Sequence, residues 1–63
     1  MNISTLKSLS KVKGVRQADI ATMAGVSRQA VHRWWSADTQ ELDVLAKTQK
    51  RLATFFGVPM EVL

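Results

Sequence analysis

The sequence predicts an all-α fold, a single compact domain over residues 1–63 built from four to five short helices. Three observations carry this. Apolar residues recur at helical spacing in three stretches: Ile3, Leu6, Leu9 and Val12; Ile20, Ala21 and Ala24; and Leu42, Leu45, Ala46, Leu52, Ala53 and Phe56. Each stretch runs into a glycine, Gly14, Gly25 and Gly57 in turn, where a helix is expected to stop. Directly after Gly25, Ser27 offers a hydroxyl to cap another helix, which carries Val31 and Trp34 on its inner face.

In chain order, the first helix is expected to start after Ser4 or Thr5 and to run to Lys13, with the every-third-residue stripe buried. Val15 is expected to pack between helices. The second helix opens at Gln17 and lacks a capping Ser or Thr, because Arg16 stands in that place. The third follows Ser27. Asp38 is expected to cap a further long segment, with Glu41 three residues on closing a capping box and Gln49 as its polar interruption. Residues 58–63 predict one last short helical turn, with Pro59 tolerated at its start. The three methionines are dispersed and are expected to fill the core.

The stretch that organises the rest is residues 17–35. Two helical segments flank a turn containing a glycine, with small residues where they must touch, which is the pattern of a helix-turn-helix. On a wheel of about 100° per residue, Arg28, Gln29, His32 and Arg33 fall on one arc of the second segment. Ala30, Val31 and Trp34 fall on the opposite arc, and Trp35 lies at the border. The outer arc holds groups that read base edges in a major groove. Arginine pairs bidentately with guanine, and glutamine with adenine. Polar residues on a helix are usually only a solvated face, but the alanine–glycine–valine framework before them favours DNA recognition.

At these residues the chain resembles the Cro and repressor type of helix-turn-helix protein found in phages and bacteria. The matching residues are Gln17, Ile20, Ala21, Ala24, Gly25, Val26, Ser27, Val31 and Trp34, and the run Val26-Ser27-Arg28-Gln29-Ala30-Val31 is especially close. A weaker match continues through Leu52-Ala53-Thr54-Phe55-Phe56-Gly57-Val58. The resemblance implies a lambda repressor-like fold and a transcriptional repressor that binds an inverted-repeat operator as a homodimer. It also implies that Gln17 touches a phosphate and braces Arg28. Arg28, Gln29, His32 and Arg33 are then the base-reading residues. Gln17, Ser27, Arg16, Ser36 and Lys47 are the candidates for phosphate contact and positioning, Lys47 because basic residues are missing just after the reading helix. Many members join an arginine of the first helix to a glutamate after the reading helix. Here those places hold Ser10 and Trp35, so Trp35 is expected to pack across Ser10. The alternative is that Trp35 meets the sugar-phosphate backbone or a partner subunit. Val44, Thr48 and Phe55, with Val62, are the candidate dimer surface, Phe55 being an extra aromatic beside the core position Phe56.

Composition and charge agree with a nucleic-acid partner. The net charge of +4 is uneven: residues 1–35 carry +5 and residues 36–63 carry −1. An anionic polymer is the natural partner of such a half. No cysteine is present, and His32 is the single histidine, so no disulfide and no zinc site is expected. No constellation activates a serine or threonine as a nucleophile, and no glycine-rich loop cradles a nucleotide. Neither an enzyme nor a cofactor or small-molecule ligand is expected. No apolar run reaches membrane-spanning length and no secretory segment is evident, so a cytoplasmic, nucleoid-associated location is expected. Two alternatives stand beside the regulator. One is an antitoxin or accessory protein-interaction module with secondary DNA binding, although six residues after Gly57 leave little chain to wrap a toxin. The other, more distant, is a basic membrane-surface helix, which the spread of cations over several helices disfavours.

Overall fold

A computed structural model describes all 63 residues and contains four α-helices: α1 (Ile3–Lys13), α2 (Gln17–Ala24), α3 (Arg28–Ser36) and α4 (Ala46–Phe56). A 3₁₀ turn, Met60–Val62, closes the chain. The four largest fully buried side chains are Leu6, Ile20, Val31 and Leu52, one from each helix. A single core therefore holds all four helices. Its Cα radius of gyration, 10.3 Å, is that of a collapsed chain of this length.

α1 starts earlier than expected. Asn2 is its cap, and its Oδ1 accepts from the Thr5 N–H at 3.1 Å. Asparagine is among the best capping residues, so the helix gains two or three residues over a start after Ser4 or Thr5. The expected stripe also drifts. Steps of three residues fall short of a turn, so Val12 stands half a turn from Ile3. Val12 is 83% exposed, and Ser10 takes the core position instead, donating its hydroxyl to the Leu6 carbonyl at 2.8 Å. Leu9 and Val15 pack half-buried against the core.

α2 and α3 are joined by residues 25–27. Gly25 has φ +73°, and its N–H reaches the Ala21 and Thr22 carbonyls. The Val26 N–H also returns to Ala21, so the carbonyls at the end of α2 are satisfied within the turn. A Cβ built on Gly25 would lie 2.6 Å from Nη1 of Arg51, the far end of a flexible side chain that can swing away. The left-handed backbone is the larger obstacle. Gly25→Ala is expected to destabilise the chain by about 1–2 kcal/mol, measured as a lower urea midpoint.

The long segment expected from Asp38 is a correction. Residues 37–45 are not helical, and α4 begins only at Ala46, with Leu45 as an extended N-cap. The Thr39 hydroxyl accepts from the Glu41 N–H at 3.2 Å and donates to the Glu41 carbonyl at 3.1 Å, a local bonding pattern that competes with helix. Glu41 forms no capping box with Asp38. Its backbone bridges antiparallel to Asn2, and its carboxylate holds the Met1 ammonium at 2.9 Å. The Ile3 N–H donates to the Gln40 carbonyl and the Leu42 N–H to the Met1 carbonyl, both at 2.8 Å, while the Asn2 N–H reaches the Leu63 carbonyl. Leu42 is half-buried on the core, but Leu45 is 68% exposed.

The candidate dimer residues divide. Val44 precedes the helix and is half-buried. Thr48, Leu52 and Phe56 follow at four-residue spacing on one face, and all three are buried. Thr48 is therefore inside the chain and unavailable to a partner. Gln49 ties the helix to the last turn, donating from Nε2 to the Met60 carbonyl at 3.1 Å. Met1 is buried and Met60 half-buried, whereas Met23 is exposed rather than core-filling.

Candidate nucleic-acid interface

The sequence of α3 decides which side it shows. Val31 is fully buried, and Ala30, Trp34 and Trp35 are half-buried, so the opposite arc must face solvent. Arg28, Gln29, His32 and Arg33 are all exposed. They line one open concavity together with Gln17 from the N-terminus of α2. The turn at residues 25–27 is what brings Gln17 and the start of α3 to the same surface.

None of these five side chains forms a hydrogen bond or an ion pair within the chain. No carboxylate lines the concavity. The surface thus offers two guanidinium forks, two amides and an imidazole, with every donor free. A fork presents paired N–H groups in a plane, and an amide presents one donor beside one acceptor. Such groups match the paired atoms on purine edges in a major groove.

The positioning candidates divide. Ser27 is the N-cap of α3, its Oγ accepting from the Ala30 N–H at 3.1 Å, which fixes where Arg28 and Gln29 begin. Ser27→Ala is expected to cost about 1 kcal/mol of stability, seen in thermal unfolding. Arg16 is exposed at the N-cap of α2. The missing hydroxyl cap is partly replaced by Asp19, whose Oδ2 accepts from the Arg16 N–H at 3.2 Å and lies 3.7 Å from Arg16 Nε. A carboxylate there also faces the positive end of the helix dipole. Ser36 is exposed at the end of α3. Lys47 does not line this concavity. It lies in a separate groove with Met23, Lys50, Arg51, Thr54 and Phe55.

Two features escaped the sequence. Lys7 of α1 donates from Nζ to the Trp35 carbonyl at 3.0 Å, placing a cation at the C-terminal end of α3. This bond joins α1 to α3 through the backbone of Trp35. Ser10 is buried and Trp35 is half-buried against the core, so the indole is not free on the surface. The second feature is the groove around Lys47; its sequence signal was the lack of any acidic residue across α4.

Comparison with protein-family models, curated proteins and solved structures gave no match. No helix is long and apolar enough to cross a membrane.

Proposed function

We propose that this chain is a sequence-specific double-stranded DNA-binding regulator, a Cro-like repressor with a lambda repressor-like arrangement of helices. One observation carries the proposal. The outer face of α3 presents Arg28, Gln29, His32 and Arg33 with no partner in the chain, and Gln17 joins them in one concavity. In this account α3 enters the major groove. Arg28 and Gln29 lie nearest the bases because they begin the helix. Gln17 and Ser27 sit beside them, where phosphates flank the groove, and Arg16 and Ser36 lie further out. Repression follows from occupying a promoter, which needs no second domain.

One reading helix covers only a few base pairs, so the working form is a homodimer on an inverted repeat. The contact between copies requires exposed apolar surface. Thr48 is buried, and Phe55 stands among three cations that a symmetric contact would set against themselves. Val62, 44% exposed in the last turn, is the most exposed apolar candidate outside that cluster of cations, while Val44 is half-buried.

The test is selection of bound sequences from random duplex DNA, followed by footprinting. The expected result is two protected half-sites about 34 Å apart, one helical turn, related by a two-fold axis. Val62→Lys is expected to reduce the footprint to weak single half-sites without unfolding the chain. Failure to enrich any sequence would reject the regulator, and one half-site filled by one chain would reject the dimer.

A further inference from the structure

The groove between α2 and α4 shares no residue with the α3 concavity. Met23 comes from α2, and Lys47, Lys50, Arg51, Thr54 and Phe55 come from α4. On the α4 wheel, Lys50, Thr54, Lys47, Arg51 and Phe55 follow one another along a single arc of about 140°. The opposite side of the helix holds Thr48, Leu52 and Phe56 in the core.

Nothing in the chain neutralises this arc. α4 contains no acidic residue, and the two ion pairs of the molecule, Met1–Glu41 and Arg16–Asp19, lie elsewhere. Lys47 stands three residues from Lys50 and four from Arg51, spacings at which like charges repel along a helix. Lys47 also sits in the first turn, where the dipole is already positive, and Leu45 supplies no side-chain cap. The arrangement costs stability in the isolated chain, and an external anion relieves it.

The floor is apolar. Met23 is 40% exposed and Phe55 37%, and the Phe55 ring meets Phe56 edge-on with centroids 5.0 Å apart. An aromatic held by the core and rimmed by cations offers an anchor site as well as charge. A phosphodiester backbone would use the cations and leave the anchor idle. A second copy of the chain would bring the same cations together. We propose that this groove docks an acidic amphipathic protein segment, in which aspartates or glutamates flank one or two large apolar side chains. The apolar residues lie on Met23 and Phe55, and the carboxylates meet Lys47, Lys50 and Arg51. The groove does not depend on DNA recognition by α3.

The test uses the full chain labelled with ¹⁵N and a short synthetic helical peptide whose leucine and phenylalanine face is flanked by glutamates. Saturable shifts are expected at Met23, Lys47, Lys50, Arg51, Thr54 and Phe55, weakening as salt rises. The peptide's glutamine counterpart, and the Phe55→Ser and Lys50→Glu proteins, are each expected to bind about tenfold more weakly. Circular dichroism checks folding, and Lys50→Glu removes no packing, so it remains informative should Phe55→Ser unfold. The proposal is overturned by shifts that are absent or lie elsewhere, or by polyglutamate binding as tightly as the peptide. It is overturned equally by concentration-dependent shifts at these residues in the protein alone. Duplex DNA that shifts the same amides and expels the peptide would assign the groove to phosphate instead.

Discussion

Leu52→Ala is expected to lower the stability of the chain by about 2–5 kcal/mol, with a much lower urea midpoint. Leu52 is fully buried, in the same core cluster as Leu6, Ile20 and Val31. Removing its branched end costs about 2–5 kcal/mol, because the surrounding side chains relax only partly into the cavity. A domain of this size has about 3–9 kcal/mol in all, from roughly 0.05–0.15 kcal/mol per residue. One truncation therefore removes a large part of the total. Urea titration followed by circular dichroism checks it. Leu45→Ala is the control: Leu45 shares the apolar pattern but is 68% exposed, so its midpoint is expected to move little.

Arg28→Ala is expected to weaken binding to a selected duplex by about 1–3 kcal/mol and to relax preference at one base position, while leaving random duplex almost unaffected. Arg28 is the first residue of α3, exposed and unpaired, so the variant removes a fork without disturbing the core. Gln29→Ala is expected to relax a neighbouring position, through an amide pair to adenine. Competition by fluorescence anisotropy against specific and random duplexes separates the possibilities. Equal loss on both would make Arg28 a phosphate contact.

The helices and the α3 surface were legible because their signals are local. Gly14, Gly25 and Gly57 each end a helix at positive φ, as the apolar stretches before them predicted. The outer arc of α3 follows from Val31 and Trp34 at one side of a short helix, and Gln17 joins it through the turn. What escaped depends on distant partners. Residues 37–45 look helical by apolar spacing, but pairing of residues 40–42 with residues 1–3 and the Thr39 hydroxyl hold them out of a helix. That shift of the α4 start left Leu45 in solvent, whereas Thr48 lies in the core because it stands four and eight residues before Leu52 and Phe56, a spacing already present in the sequence. Lys47 is a phosphate candidate in the sequence because basic residues are missing just after α3, which says nothing of which face of α4 it occupies. The groove of Met23 and Phe55 draws on two helices, and no single stretch displays it.

Sequence reading by α3, as proposed, sets the selected duplex apart from any other of the same length. The most direct measurement is the affinity of the chain for its selected duplex and for a random duplex of equal length, each at several salt concentrations. Affinities are expected to fall linearly in logarithmic salt for both duplexes, with the selected one bound about a thousandfold or more tightly. A ratio near one, or binding indifferent to salt, would contradict the proposal.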